Sequence, residues 1–329
     1  MIVPFDSEAW NWADAGHGAS TFAGRPSLLA GGDAAVLLDH ELEDGTIELE
    51  LGIGRQRGFY GVVWRARDAE NFESFYVRPH QVANPDAVQY TPVFNGIPCW
   101  QLYHHEGFWA PVSFPLDDWF RIRVVFAGGQ AEIYVGDLDA PALVSWLKLP
   151  AGPGRVGVLV GGEGVHLSEF SVEETASLQA SLPPPAPPPE GVIRAWEVSD
   201  AFAEGELEGA LADTRSWTPV ESEPSGLVNL ARVQGIPDGR NTALARTRID
   251  AREAETRVLT LGFCDRGIVY LNGRPLYRGD DTYRSRDYRF LGSIGWYDAL
   301  YLPLEAGENE LAIAVSEDLG GWGVQARLG

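Results

Sequence analysis

Two stretches of this 329-residue chain gather residue types able to grip a polar ligand. Side chains on a strand alternate between faces. Strands over Gly58–Ala66, Phe72–Arg78, Val88–Phe94 and Cys99–His105 therefore turn Tyr60, Val62, Trp64, Phe75 and Val77 inward, and Arg65, Tyr76, Arg78, His80, Gln89, Trp100 and His104 form an outward row. Arginine and glutamine fork onto hydroxyls, and a ring stacks on the apolar face of a pyranose. The competing reading is ordinary sheet polarity, with Arg78 paired to an acid and Trp100 in the core. The second stretch, Tyr277 to Arg289 followed by Gly295-Trp-Tyr-Asp298, is a charged, aromatic loop on a rigid scaffold. There Tyr283, Arg284, Arg286, Asp287 and Trp296, with Trp322 further on, are candidates for ligand contact. They could equally pair among themselves or pack inside the fold. Asp280, Asp281 and Asp298 could supply oxygens to a structural calcium ion, although EF-hand spacing is absent. No other cofactor is expected.

Three further patterns invite chemistry and return less. Thr46-Ile-Glu-Leu-Glu-Leu51 alternates strictly, so Ile47, Leu49 and Leu51 share one face, and Glu48 and Glu50 point the other way. Two carboxylates near 7 Å apart fall within glycosidase range, yet a solvated strand face explains them better. His104 and His105 are adjacent, and on a strand they point to opposite faces, so they cannot share a metal; His17 and His80 could join only through tertiary structure. One histidine could serve as a general base, with no acid partner visible. Cys99 and Cys264 read as buried free thiols, with an interdomain bridge as the alternative, and are too few for a zinc site without histidine.

The formal net charge is −22, which argues against nucleic acid, whose phosphates would be repelled. Both halves of the chain are acidic. A neutral polar partner, a saccharide or glycoconjugate, suits that balance. No apolar run approaches the roughly 18 residues that would span a bilayer, so no membrane insertion is expected. The first residues lack a basic head and an apolar stretch, which points to the cytoplasm, with a secreted mature chain still open.

Between the two halves stands Pro183-Pro-Pro-Ala-Pro-Pro-Pro189, which cannot donate the hydrogen bonds a sheet or helix needs. Such a run extends as polyproline II and belongs between domains. The expected organisation is residues 1–174, a linker over 175–191, and residues 192–329. Hairpins at Phe120–Phe126 with Gln130–Val135, and at Gly267–Tyr277 through Asn272-Gly273, recur among short alternating runs. Leu300–Leu304 and Glu310–Val315 read as a closing pair, and Glu204–Asp213 as a short helix. The fold class is all-β: two tandem antiparallel β-sandwich, jelly-roll domains joined by a proline-rich linker.

The residues Asp44-Gly-Thr-Ile-Glu-Leu-Glu-Leu51, Phe59-Tyr-Gly-Val-Val-Trp-Arg65, Tyr76-Val-Arg-Pro79, Trp119, Gly154-Arg-Val-Gly157 and Phe170-Ser-Val172 resemble the concanavalin A-like lectin/glucanase jelly roll. That architecture hosts lectins, laminin-G modules, glucanases and keto-disaccharide hydrolases. The Glu-x-Asp-x-x-Glu strand of the glucanases and the Asn-Ser-Gly pattern of the hydrolases are absent. Residues Val269-Tyr-Leu-Asn-Gly273, Leu302 to Leu311 and Gly320-Gly-Trp-Gly323 resemble the galactose-binding-like jelly roll, a module appended to many glycosidases. The resemblances imply a non-catalytic or accessory carbohydrate-binding protein. A glycoside hydrolase or lyase with its cleft on the first sandwich, and a protein–protein assembly module, are the alternatives.

Overall fold

The computed structural model describes residues 1–136, 138–180, 182–207 and 216–329. They are nearly all β, in two compact units: residues 1–96 with 104–183, and residues 97–103 with 184–329. Segment 97–103 belongs to the second unit because Gln101 N–H donates to Gly320 O (2.8 Å) and Ile294 N–H to Gln101 O (3.0 Å). The strand expected over Cys99–His105 is instead a run of turns, with the Leu102 and Tyr103 N–H groups both on Cys99 O. Gln101, Leu102 and Tyr103 are buried in succession, which is incompatible with one exposed strand face. No helix among the described residues is long and apolar enough to cross a membrane. Of the helix expected over Glu204–Asp213, Glu204–Glu206 is a 3-10 turn and residues 208–213 lie outside the described residues.

In the first unit, two long strands serve both layers of a sandwich. Gly154–Glu173 pairs over its first half with Gly58–Ala66 and over its second half with Gly45–Ile53, while Arg25–Leu42 follows it on the other side. The change of layer falls where Gly162 opposes Gly32, with φ of 140° and 135°. Side chains with a Cβ rarely adopt such angles, and the register slips there. One layer continues through Gly45–Ile53, Asp118–Ala127, Gln130–Val135 and Leu143–Trp146; the other through Gly58–Ala66, Phe72–Val77 and Val88–Phe94. The inner faces meet where Trp64 lies 6.2 Å from Phe126 and 5.9 Å from Tyr90. Ile47, Leu49 and Leu51 are fully buried opposite Val124, Ile122 and Phe120, as their alternation requires.

The second unit is also two-layered. Six strands run in the order Trp217–Glu221, Ala195–Ser199, Thr242–Ala251, Gly307–Ser316, Arg266–Leu271, Arg274–Asp280. Four more run Leu227–Asn229, Gly323–Leu328, Glu255–Cys264, Asp298–Leu304. The hairpin turn at Asn272 and Gly273 has φ of 51° and 75°, the left-handed pair that asparagine and glycine allow. Leu300–Leu304 and Glu310–Val315 do not close on each other. The first pairs with Glu255–Cys264 and the second with Thr242–Ala251, so the chain crosses between layers at residues 305–306. Asn309 holds that corner, accepting from Glu305 N–H (2.9 Å) and donating to Glu305 O (2.8 Å).

Candidate functional site

The outward row expected on the first unit is largely inside the protein. Tyr76, Gln89 and Trp109 stand opposite one another across three strands, on the face away from Trp64. Tyr76, Arg78 and Gln89 are buried and bonded together: Arg78 Nη2 donates to Tyr76 Oη (3.3 Å) and to Gln89 Oε1, and Thr91 Oγ1 donates to Tyr76 Oη (3.1 Å). Arg78 Nη1 donates to Asp86 O (2.6 Å), so the arginine has the acidic neighbour that ordinary polarity predicts. His80 joins this group through Phe59, whose ring lies 5.5 Å from Tyr76 and 5.8 Å from His80. Burial, and then the charges of Arg57 and Arg78, hold the His80 imidazole below its ordinary range, and its Nδ1 has no partner. Arg65 is elsewhere and buried, donating to Gly128 O (2.5 Å) and to Asp44 (3.3 Å). Trp100 belongs to the second unit, beside Gly320. His104 packs edge-on to Trp109 at 5.6 Å.

In the second unit, Trp322 is a core residue, fully buried with Nε1 donating to Val315 O (2.9 Å). Arg286 bridges Asp281 (2.6 Å) and Asp298 (2.8 Å), and Asp287 pairs with Arg289 (3.0 Å). A guanidinium thus provides positive charge between two of the three candidate calcium ligands, and the third, Asp280, accepts from Thr282 N–H (3.0 Å). Tyr283 carries Arg284 at 4.9 Å on its ring, and Trp296 carries Arg327 at 5.0 Å.

Open polar groups converge instead on the outer face of the first unit's other layer. Strand register places Ser171, Glu48, Arg123 and Tyr134 side by side across four strands. The neighbouring row pairs Glu50 with Arg121. Arg121 reaches Glu48 (3.2 Å), Glu50 (3.4 Å) and Glu169 (3.4 Å), and Arg25 reaches Glu50 (2.6 Å). The next row is His166, Gly52, Trp119. Phe22 fills the space above Gly52, stacked on His166 at 4.5 Å and edge-on to Trp119 at 5.5 Å. The far end of the face forms a groove of about 320 Å³, at the lower end of small-molecule sites. Glu48, Arg123, Tyr134 and Ser171 form its floor, and residues 175–179 form its wall. Thr46 Oγ1 anchors that wall on Thr175 O (3.0 Å), and Ala180 N–H donates to Glu132.

Electrostatics divides the groove's groups into fixed and available. Glu48 is held by Arg121 and by Arg123 Nε (2.5 Å), and Glu132 by Tyr134 Oη (2.7 Å). Burial and the Glu132 carboxylate push the Tyr134 phenol up to about 12, so it remains a donor at neutral pH. Arg123 gives Nε to Glu48 and lays its guanidinium over the Tyr134 ring at 5.7 Å; among the described residues its two Nη nitrogens, the Ser171 hydroxyl and the Gln179 amide, all of residues that line the groove, have no hydrogen-bond partner. Parity in Thr46–Leu51 and Phe120–Phe126 was the available signal for these residues. It shows which side chains face out, and not which of them stay uncommitted.

No family model matches the chain, and no curated protein does. Among solved structures the chain is similar to the carbohydrate-binding module CBM66 from Bacillus subtilis, with 17% identity and a TM-score of 0.40, over 52% of this chain and 99% of that one. It is similar to a Bacillus subtilis protein with a galectin-like fold at 12% identity and a TM-score of 0.37, over 54% and 96% of the two chains. The galectin LEC-6 of Caenorhabditis elegans gives 13% and 0.33, over 50% and 98%. These likenesses are distant, and the site's own geometry carries the functional reading.

Proposed function

We propose that the first unit binds a saccharide, or another neutral polyol, in the groove over Glu48, Arg123, Tyr134 and Ser171, and does not cleave it. The observation that carries this reading is Arg123: it lines a concave surface, and its two Nη nitrogens have no hydrogen-bond or ion-pair partner among the described residues. A sugar hydroxyl accepts from such a donor while donating to a carboxylate, and Glu48 lies directly opposite Arg123 in the register. Tyr134 backs the Arg123 guanidinium with its ring at 5.7 Å, and Ser171 and Gln179 add groups that can donate or accept. The non-catalytic part rests on Glu48 and Glu132, each already bonded within the sheet, the first to Arg121 and Arg123 and the second to Tyr134.

The test is a glycan array followed by calorimetry on wild type and Arg123→Ala. Loss of hydrogen bonds to a charged donor is worth roughly 1.5–3 kcal/mol, or about 10- to 150-fold in Kd. The same substitution touches a part-exposed ion pair and should change stability by less than about 1 kcal/mol. Arg123→Lys keeps the charge, loses the fork, and should weaken binding nearly as much. Array binding that survives Arg123→Ala would place the ligand elsewhere, and release of reducing sugar from a bound glycan would replace this reading with the hydrolase.

A further inference from the structure

The second unit buries a cluster that the saccharide reading does not use. Cys264 ends one strand of the four-stranded layer, Asp265 follows it, and Glu317 follows Gly307–Ser316 in the other layer. The Asp265 N–H on Ser316 O (3.0 Å) holds the two chain segments together. One ligating atom from each of Cys264, Asp265 and Glu317 lies within 4.8 Å of the others, and their exposures are 0%, 0% and 4%.

The surroundings are rich in oxygen, and Asp265 Oδ2 accepts the N–H groups of Asp318 (2.7 Å) and Leu319 (2.9 Å), which leaves its Oδ1 toward the sulfur. Cys264 Sγ faces Gln101 Oε1 at 3.2 Å, Gly292 O at 3.4 Å and Asp265 Oδ1 at 3.6 Å. A thiol has a single hydrogen and can serve one of those three acceptors. Glu317 Oε1 accepts from Gly321 N–H (3.0 Å), while its Oε2 is buried with no partner. Asp281 is bonded through its backbone to Asp265 (2.8 Å); its Oδ1 is paired with Arg286 (2.6 Å), and its buried Oδ2 has no hydrogen-bond partner. The adjacent cation, Arg266, is committed to Glu204 and Asp318. The unpartnered Glu317 Oε2 is the costly group of the cluster, and a proton or a bound cation would relieve it.

We propose that Cys264, Asp265 and Glu317 hold one divalent metal ion of the zinc class. The donor set selects the ion: Zn²⁺ accepts thiolate and carboxylate together, whereas Ca²⁺ and Mg²⁺ take oxygen alone. Gln101 Oε1 and Gly292 O, both beside the sulfur, are the available neutral donors for a fourth position. The thiol releases its proton to solvent as the metal–sulfur bond forms. With every ligand buried the ion is structural. It ties the two layers of the unit to the 97–103 segment, whose Gln101 is bonded to Gly320 and Leu291.

The experiment refolds the full chain from denaturant with Zn²⁺ or Co²⁺ and removes excess metal by gel filtration. The proposal predicts one metal per chain and, for Co²⁺, a near-ultraviolet thiolate-to-cobalt charge-transfer band. Cys264→Ser should lose that band, Glu317→Gln should lose stoichiometric retention, and Cys99→Ser should keep both. Folded wild type that retains no metal and shows no band overturns the proposal without reference to any variant. A band that persists in Cys264→Ser overturns it as well.

Discussion

Glu73 offers the sharpest test of how the first sandwich is held together. It shares strand parity with Phe75 and Val77, so it faces inward, opposite Trp64, and it is fully buried. Its Oε1 accepts the N–H groups of Lys148 (2.9 Å) and Leu149 (2.8 Å), and its Oε2 accepts Tyr90 Oη (2.7 Å). Glu73→Ala removes the acceptor of the Leu149 N–H and of the Tyr90 hydroxyl in the core, while the Lys148 N–H keeps its bond to Tyr90 Oη (2.9 Å). At roughly 1–3 kcal/mol for each of these two buried groups, the loss is about 2–6 kcal/mol. That is a large share of the 5–15 kcal/mol typical of a domain, and it should lower Tm by roughly 5 °C or more. Glu73→Gln keeps an oxygen for the two N–H groups, and Tyr90 can turn to accept from the new amide, so it should cost far less. Burial outweighs these bonds and raises the Glu73 carboxyl above its ordinary value of 4.5. A raised carboxyl contributes stability that is complete below the unfolded value and is lost as pH rises through the folded one. Wild type should therefore lose stability upward from about pH 4.5, relative to Glu73→Gln. Urea denaturation across that range measures both effects. Equal stability of wild type and Glu73→Ala, or a greater loss in the glutamine variant, would refute the reasoning.

Four further outcomes follow from the same coordinates. Because the His80 imidazole is held below 6.5, the unfolded chain takes up its proton first; stability should fall as pH drops from 6.5 through the folded value, and denaturation of His80→Gln should lack that part of the slope. A Cβ at Gly61 would meet Phe75 O at 2.0 Å, so Gly61→Ala should force two strands apart and cost roughly 1–3 kcal/mol, read as a lower urea midpoint. Trp322→Ala removes a fully buried ring and a donor to Val315 O, and should cost the second unit about 3–5 kcal/mol in a calorimetric scan. Gly52→Val places a Cβ 2.4 Å from the Phe22 ring, and should expel Phe22 from between His166 and Trp119, read as a changed tryptophan emission.

Alternation made much of the architecture legible. Ile47, Leu49 and Leu51 had to share an inner face, and the Asn272-Gly273 turn had to be a hairpin. Parity also grouped Tyr76, Gln89 and Arg78 correctly on one face, but it carries no information on what covers that face, and all three are buried. Parity placed Glu48 outward too. The register that sets it against Arg123, and the path of residues 175–179 over both, depend on pairings more than seventy residues apart. The Cys264, Asp265 and Glu317 cluster was beyond sequence spacing for the same reason: its third member arrives from a different strand. Leu300–Leu304 and Glu310–Val315 show the limit of reading neighbours as partners, because a short connection can cross a sandwich as easily as turn within a sheet.

The central claim is the ligand groove on the outer face of the first unit, and a crystal structure with the tightest saccharide from the array tests it most directly. The account predicts a sugar ring over Glu48 and Arg123, with hydroxyls on the Arg123 Nη nitrogens and on Ser171. A sugar bound against Tyr76 and Trp109, or on the Tyr283–Trp296 loop of the second unit, with the Arg123 groove left empty, would contradict it.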